Sequence, residues 1–297
     1  MDISFELYKV FYYVAKHLSF SDASEKLFIS QSAVSQSIKI LEEKLGCQLM
    51  FRNTKKTHLT HEGEILFKYV EGAFNLLKSG EKNISEIHSL NQGEIRIGAS
   101  DTICKYYLLP YLKQFNRLYP NIKIHVTNRT SPKCIELMKS GNVDFSIVNI
   151  PMNANYQGMK FERVKDIKDV FICGNNFREL KKGKIALKEL ENYPVLVLEK
   201  NTVTREYFDK FISDNNVSIT PEIELGSVEL LIELTKIGLG ISYVMEDCIE
   251  KMVGDESVFI LDVNEKSPVR GLGLLTHDNI PLSAAALKFV ELLRIGK

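Results

Sequence analysis

The sequence of 297 residues predicts an α/β protein that begins with an all-α winged helix-turn-helix and a long linker helix and continues as two α/β lobes. Two observations lead to this fold class. Apolar residues recur at helical spacing through residues 5–87, and after Gly93 short apolar runs alternate with amphipathic helical patterns. Because such alternation is typical of a sheet with helices on both faces, we expect parallel, doubly covered sheets in the second part.

Residues 18–52 favour two short helices joined by a tight turn. The first is expected over residues 22–27 with Ser21 as its N-cap, and the second is expected to begin at Gln31 with Ser30 as its N-cap. An upstream helix would pack on this pair through an apolar stripe formed by Phe5, Val10, Phe11 and Val14.

The turn between these helices and the end of the second one carry separate signals. Phe28 and Ile29 are apolar, so we expect them to fill the angle between the helices. Gly46 is expected to end the second helix, because glycine readily adopts the positive φ of a helix C-terminus.

The second helix of the pair has two different faces. Its buried face is expected to consist of Val34, Ile38, Leu41 and Leu45. Its other face carries short hydrogen-bonding side chains and one cation, which suit base edges and phosphates in a major groove: Gln31, Ser32, Ser35, Gln36 and Lys39. This combination favours a reader of double-stranded DNA. The alternative is an ordinary helical subdomain whose polar face only contacts water.

A basic hairpin is predicted directly after this pair. Arg52, Lys55 and Lys56 lie close together before an extended run, so they would place cations on the phosphate backbone. A solvated basic turn is the alternative. The whole chain has 38 basic and 38 acidic residues, so any attraction to nucleic acid must be local, which favours binding at specific sites.

A long helix is expected from Thr60, its candidate N-cap, to about residue 90. Its apolar positions alternate in steps of three and four, which favours a helix partner: Ile65, Leu66, Tyr69, Val70, Ala73, Leu76, Leu77, Ile84 and Ile87. Two copies joined here would hold two recognition helices at a fixed distance on a two-fold DNA site. The seam could instead pack on its own domain.

Strands and helices alternate from Gly93 onward. Strands are expected at 94–100, 122–127, 143–149, 169–173, 195–198, 219–225, 239–245, 258–263 and 271–276. Helices are expected at 106–118, 135–140, 205–214, 228–236 and 282–293. Two lobes of about a hundred residues each fit this length. The expected division is 1–60 for DNA binding, 61–90 for the linker helix and 91–297 for the α/β domain, with lobe I at 91–162 and 267–297 and lobe II at 163–266.

Metal, redox and catalytic motifs are absent from the sequence. The five cysteines are widely spaced without a C-x-x-C pair, and Cys173 and Cys248 lie in or near apolar runs where buried free thiols are expected. The six histidines are scattered, and no glycine-rich phosphate loop occurs. No cofactor and no enzymatic activity are therefore expected. Without a basic leader or an apolar run of about 18 residues, a cytoplasmic protein outside the membrane is expected.

The chain as a whole resembles a LysR-type transcriptional regulator. The resemblance is most specific at residues 18–51, in the pattern AxxxLxxSQSAVSxxIxxLExxLG, and continues in LTxxG at 59–63 and GLGI at 238–241. Ser32 stands where proline is frequent, and Met50 departs from the usual Leu-Phe. The resemblance implies a winged helix-turn-helix, a linker helix and a two-lobed effector domain similar to periplasmic binding proteins. It also implies a small-molecule effector in the cleft, a homodimer or homotetramer on promoter DNA, and contact with RNA polymerase.

Two hydroxyl-rich turns are candidates for the ligand site. Ligands of open α/β sheets bind beyond the carboxyl ends of strands, near helix N-termini, which suit a carboxylate or another oxyanion. The main candidates follow one strand in each lobe and also resemble the family's ligand turns: Ser100, Thr102, Thr202 and Thr204. Thr130 and Asn149 follow other strands of the first lobe. The alternative is that the hydroxyls are plain helix caps. The second turn resembles that of the branch that includes sulfur-assimilation and carbon-fixation regulators.

Two charged residues beside these turns leave alternatives open. Asp101 would disfavour an anion unless its side chain points away or caps the helix, and if it faces the cleft a ligand with an amino group is favoured. Arg205 would pair with an anionic ligand or with a nearby carboxylate.

Two functions from different classes compete at this point. One is a DNA-binding regulator that responds to a small anionic metabolite. The other is a solute-binding or enzymatic α/β protein whose N-terminal helices only drive oligomerisation. The polar face at residues 31–39 and the basic hairpin favour the regulator, because an oligomerisation module would need neither.

Overall fold

The computed structural model describes residues 3–53, 56–87, 93–151, 156, 158–250 and 257–295. They divide into an N-terminal unit of helices with one hairpin and a larger α/β unit. Among these residues, every helix is too short or too polar to cross a lipid bilayer.

The N-terminal unit consists of three short helices, a hairpin and a long helix. The elements are α1 Phe5–His17, α2 Phe20–Leu27, α3 Gln31–Leu45, β1 Met50–Asn53, β2 Lys56–Leu59 and α4 His61–Ile87. Its core is contiguous and includes most positions predicted for α1 and α3, with no exposed surface on Phe11, Val14, Val34, Ile38 and Leu41. Phe5 is the exception, because it is 48% exposed and lies outside this core, and Leu45 is only partly buried against it. The predicted helical spacing of both helices is confirmed.

The ends of α2 and α3 are fixed by side-chain caps. The Oγ of Ser19, not Ser21, accepts the backbone N–H of Asp22 at 3.1 Å, so the prediction of Ser21 as the N-cap is wrong. Ser19 has the extended backbone that an N-cap needs, whereas Ser21 already lies inside the first turn. The predicted cap of α3 is confirmed, because the Oγ of Ser30 accepts the N–H of Ala33 at 3.2 Å. Gly46 ends α3 at φ 72° as predicted.

The turn between α2 and α3 differs from the prediction. Phe28 is 95% exposed and Ile29 is 40% exposed, so these residues do not fill the angle between the helices. The reason lies in the backbone: α2 ends with Phe28 in the left-handed conformation at φ 54°. This conformation turns the chain toward α3 and leaves the ring in solvent.

The α/β unit contains two five-stranded sheets. The first has the order β4-β3-β5-β12-β6, with β3 Gly93–Ala99, β4 Ile122–Asn128, β5 Phe145–Asn149, β6 Met159–Ile167 and β12 Arg270–His277. The second has the order β11-β7-β10-β8-β9, with β7 Asp169–Gly174, β8 Val195–Leu198, β9 Ile223–Leu225, β10 Ile241–Met245 and β11 Val258–Ile260.

Helices cover both sheets. They are α5 Asp101–Ile103, a π-helical turn Cys104–Leu108, α6 Leu109–Leu118, α7 Ser131–Lys139, α8 Val203–Asp214, α9 Val228–Lys236, α10 Asp247–Glu250 and α11 Ala284–Ile295. Two 3-10 turns, Asn175–Lys182 and Leu187–Asn192, precede β8. The helix predicted at 106–118 therefore begins earlier, at Asp101.

Both sheets are mixed, so the expectation of wholly parallel sheets is wrong. In the first sheet β12 runs antiparallel to β5 and β6, and in the second β7 runs antiparallel to β10 and β11. A parallel connection needs a crossover long enough for a helix. Here β7 enters the second sheet directly from β6 of the first sheet, after the single residue Lys168, and β12 enters the first sheet from the second. Neither strand therefore follows a helical crossover from a strand of its own sheet.

A buried ion pair joins the two places where the chain passes between the sheets. Arg270 begins β12 and Asp169 begins β7, and their side chains are 2% and 0% exposed. The guanidinium donates two hydrogen bonds to the carboxylate, with Nη2 2.7 Å from Oδ1, and a further one to the side-chain oxygen of Asn149. Burial opposes the charge on Arg270, but Asp169 more than compensates and raises the pKa of this guanidinium.

Candidate DNA-binding face and effector cleft

The predicted DNA-binding face of α3 is open to solvent. Gln31, Ser32, Gln36 and Lys39 are exposed, and Ser35 is half-exposed. The Oγ atoms of Ser30 and Ser32 share a hydrogen bond of 2.8 Å. Lys39 has an ion pair of 3.7 Å with Glu43, but both side chains are mostly exposed, so the lysine stays accessible. The face therefore has the donors, acceptors and cation that a groove contact requires.

The predicted basic hairpin is present as the antiparallel pair of β1 and β2, in which Arg52 lies opposite Thr57. Lys55 lies outside the described residues, and so do the side chains of Arg52 and Lys56, whose backbones belong to the hairpin.

Two close contacts position the hairpin relative to its flanking helices. The carboxylate of Glu42 on α3 accepts the N–H groups of Leu49 and Met50, at 2.8 and 3.2 Å. Thr60 caps α4 as predicted, since its Oγ1 accepts the N–H of Gly63 at 3.0 Å. A Cβ atom on Gly63 would lie only 2.1 Å from the carbonyl oxygen of Leu49, so this position requires glycine.

A cavity of about 390 Å³ opens in the α/β unit at the carboxyl ends of strands from both sheets, and we call it the cleft. All six residues predicted to bind a ligand line it: Ser100, Thr102, Thr130, Asn149, Thr202 and Thr204. The structure thus brings together residues from four separate turns. Each of these turns follows a strand, which is why one sequence pattern identified them.

The hydroxyl groups of the cleft fall into two sets. Ser100 and Thr202 cap α5 and α8, as the alternative interpretation allowed, and accept the N–H groups of Ile103 and Arg205 at 3.4 and 3.3 Å. Thr202 also donates to the carbonyl of Glu199. The hydroxyls of Thr102, Thr130 and Thr204 form no hydrogen bond with any described residue, so these three can donate to a ligand.

Sequence reasoning missed the fourth helix N-terminus of the cleft. Ser227 caps α9 by accepting the N–H of Leu230 at 3.3 Å, and Gly226, Ser227 and Glu229 line the cavity. The signal was available, because Gly226 and Ser227 stand between the strand β9 and a helical pattern. With α5, α7 and α8, the N-termini of four helices meet here, and their partial positive charges favour an anion.

Charged side chains complete the cleft. Asp101 accepts a hydrogen bond from the side-chain amide of Asn128 at the cleft wall. Arg129 lines the cleft and is exposed. Arg205 pairs with nearby carboxylates rather than with a ligand, which was the second of its two predicted roles. Its side chain is buried and lies 2.7 Å from Asp209 and 2.9 Å from Glu224.

Two family descriptions match this chain. Residues 5–64 match the bacterial regulatory helix-turn-helix protein of the lysR family, and residues 88–296 match the LysR substrate binding domain. The chain belongs to the LysR family of transcriptional regulators. The resemblance found in the sequence is thereby confirmed, and with it a DNA-binding regulator that carries an effector-binding domain.

Relatives of this LysR-type regulator match along most of its length. A probable RuBisCO transcriptional regulator of Thalassiosira pseudonana is 26% identical over 284 residues, which cover 93% of this chain and 92% of that protein. A full-length OxyR variant from Pseudomonas aeruginosa matches with a TM-score of 0.74 and 17% identity over 99% of this chain and 96% of that one. The regulatory domain of Synechocystis PCC6803 CcmR in complex with 2-PG matches with a TM-score of 0.63 and 22% identity over 69% and 98% of the two chains. The two structures confirm the predicted fold class.

One carboxylate of this LysR-type regulator bridges the two lobes across the cleft. Glu229 on α9 accepts hydrogen bonds from Lys105 Nζ at 2.7 Å and from the hydroxyl of Tyr106 at 2.6 Å. Both donors belong to the π-helical turn, a feature that often marks functional sites. Burial alone would raise the pKa of Glu229, but the bonds from Lys105 and Tyr106 outweigh it and lower the pKa.

This bridge gives a prediction for pH. Because the pKa of Glu229 is lowered in the folded state, the bridge is complete above the ordinary pKa of a glutamate and is lost as the pH falls through the lowered value. Lys105→Met is expected to raise the pKa of Glu229 toward the ordinary value, measured by NMR titration of the side-chain carboxyl group. Lys288→Met, which removes a lysine paired with Glu291, is the control and should leave Glu229 unchanged. An unchanged pKa in Lys105→Met would contradict the bridge.

The cysteines of this regulator are free thiols. Cys173 and Cys248 are buried as predicted, and burial raises the pKa of both, to about 11 for Cys173. Burial also raises the pKa of Cys104 and Cys134 to about 11. These four thiols are therefore protonated and weakly nucleophilic at neutral pH. In the part of the chain that the structure describes, no three His, Cys, Asp or Glu side chains are grouped as metal ligands.

Proposed function

We propose that this regulator reads a specific operator through α3 and the hairpin, and that a small anionic metabolite bound in the cleft controls its activity. The proposed division assigns residues 1–60 to DNA, 61–90 to dimerisation and 91–297 to the effector, in a protein that acts in the cytoplasm. The observation that carries the proposal is the cleft itself, where four helix N-termini surround three hydroxyl groups without partners.

An anion is supported by the charge and size of the cleft. Helix N-termini and the exposed Arg129 favour a carboxylate or phosphate group. The carboxylate of Asp101 lines the cleft wall, where it accepts a hydrogen bond from Asn128 through one of its oxygens, and it keeps its charge. The anion is therefore proposed from the helix N-termini and Arg129, with an amino group elsewhere on the ligand as the alternative that Asp101 favours. A cavity of about 390 Å³ suits a small metabolite. The solved structure of the CcmR regulatory domain is that of a complex with 2-PG, which makes 2-PG a reasonable first probe.

Dimerisation through α4 is supported by its exposed apolar side chains. Ile65, Tyr69, Leu76, Leu77 and Ile84 are exposed on this helix and would lose contact with water against a second copy. The dimer would hold two α3 helices for a two-fold operator, and two dimers would form the tetramer that the family resemblance implies. RNA polymerase is the further partner proposed on that basis.

Control requires only that the effector bind one arrangement of the lobes more tightly than another. We propose that ligand closes the lobes and changes how the dimers associate, which would alter DNA bending and access of RNA polymerase.

The operator part of the proposal is tested by fluorescence anisotropy on the intergenic DNA upstream of the gene, with scrambled DNA as competitor at physiological salt. Preference for the intergenic fragment by roughly a thousandfold or more is expected for specific binding. Equal weak binding to every fragment tested, including fragments from the rest of the genome, would contradict it.

The effector part is tested by the substitution Thr102→Val, which removes a cleft hydroxyl without a partner and keeps its shape. We expect the variant to lose most of the response of operator binding to 2-PG or inorganic phosphate, because a buried anion loses a hydrogen-bond donor there. Its operator affinity without probe should stay nearly unchanged. Thr220→Val, at an exposed position of the second lobe, is the matched control. Equal loss of response and operator affinity in Thr102→Val would contradict separate sites for effector and DNA.

A further inference from the structure

Phe28 is the most exposed large apolar side chain of the N-terminal unit among the described residues. Its ring is 95% exposed, although it lies in a turn between two packed helices. Single exposed apolar residues are common on protein surfaces. This one is different because its backbone is also unfavourable.

The backbone of Phe28 adopts φ 54° and ψ 40°, where the N–H of Phe28 bonds to the carbonyl of Glu25 and the N–H of Ile29 to that of Ser24. Glycine or asparagine adopts this left-handed conformation with less strain than a bulky residue. The ring gains no packing that would offset the strain, since almost all of its surface faces solvent. Phe28 therefore makes no visible contribution to the stability of the folded chain.

Leu18 provides an internal comparison. It ends α1 in the same conformation, at φ 49°, but its side chain is only 44% exposed. Leu18 is thus partly packed, whereas Phe28 is not. The two residues share the backbone strain and differ in surroundings.

The position of Phe28 relative to α3 suggests a reason for the exposed ring. All residues from Phe28 to Ser32 are exposed, so the ring belongs to the same continuous surface as Gln31 and Ser32. The Cα atoms of Phe28 and Gln31 are at most about 11 Å apart along the chain. In a helix-turn-helix the first residues of the second helix contact base edges, so the turn before it lies at the edge of the groove.

We propose that Phe28 contacts operator DNA, packing its ring on a thymine methyl group at the edge of the groove or on the neighbouring deoxyribose. Thymine methyl groups are the apolar feature of the major groove, and aromatic side chains contact them. The contact buries a ring that is otherwise in water, and this gain exists only in the complex. Phe28 thereby adds an apolar contact beside the polar DNA-binding face of α3.

The test compares Phe28→Asn with Leu18→Asn, which relieves the same backbone strain at the end of α1. Both full-length variants are measured for thermal unfolding and for affinity to the operator fragment and to random DNA of equal length. Phe28→Asn is expected to keep or raise the unfolding temperature while its operator affinity falls about tenfold. Leu18→Asn should leave operator affinity within twofold of the unchanged protein.

A second measurement locates the contact on the DNA. Thymines of the operator are replaced one at a time by deoxyuridine, which removes only the methyl group, and each fragment is bound by the parent protein and by Phe28→Ala. A thymine whose methyl group matters to the parent but not to Phe28→Ala identifies a base contact. A loss of affinity in Phe28→Ala that is equal for all fragments identifies a deoxyribose contact. If operator affinity is unchanged in both Phe28 variants, the proposal is overturned. It is also overturned if the variants lose operator affinity only because they unfold at a lower temperature than the parent protein.

Discussion

Replacement of Arg270 by methionine is expected to lower the free energy of unfolding of the α/β unit by about 3–5 kcal/mol, because the carboxylate of Asp169 then remains buried without a partner. For a unit of this size the melting temperature should fall by about 10 °C. Chemical denaturation of the purified regulator, followed by circular dichroism, measures the effect. The two residues lie where the chain passes between the sheets, so the loss should also loosen the cleft.

Two further variants distinguish the effect of the buried ion pair on stability from that of an exposed ion pair. Lys288→Met removes one partner of an exposed ion pair and should leave the stability nearly unchanged. The double variant Arg270→Met with Asp169→Asn removes both charges and should recover part of the loss. If Arg270→Met is as stable as the parent, the ion pair does not stabilise the two segments where the chain passes between the sheets.

Replacement of Gln36 by alanine is expected to lower operator affinity by about 5- to 150-fold, equivalent to about 1–3 kcal/mol, while affinity for random DNA stays the same. The side chain is exposed on the polar face of α3 and has the donor and acceptor that an adenine edge requires. Competition binding on the two DNAs measures the difference. Full discrimination in Gln36→Ala would exclude this residue as a base reader.

Lys39→Ala on the same helix serves as the contrasting variant. Because a lysine contacts phosphate without reading sequence, it should weaken binding to both DNAs alike and reduce the salt slope by about one. Its exposed ion pair with Glu43 is weak and should not mask this effect.

Local sequence signals were sufficient to predict much of the fold and several residues that line the cleft. Ser30, Gly46 and Thr60 were identified correctly because each cap acts on backbone groups within a few residues. Thr102 and Thr130 were found because a strand followed by a polar turn and a helix has a fixed place in an α/β fold.

The failures share a physical cause, since each depended on contacts distant in sequence or on backbone conformation. The antiparallel placement of β12 depends on pairing with β5 and β6 more than a hundred residues earlier. No strand was predicted at residues 159–167, because the alternating charged residues of β6 do not resemble a buried strand. β6 carries them because it forms the edge of its sheet. The bridge from Glu229 to Lys105 spans 124 positions in sequence and required the packed lobes.

The strand order of the first sheet has a consequence for the synthesis of the chain. β12 lies between β5 and β6, so β6 has no strand partner among the described residues until the ribosome has released residues 270–277. The second sheet and its core, from Phe171 to Leu261, form an uninterrupted segment that emerges earlier. We therefore expect the second lobe to fold first, while β6 waits as an unpaired edge open to aggregation. A chain that stops before Arg270 would leave the ribosome with one lobe complete and the other without the strand that closes it.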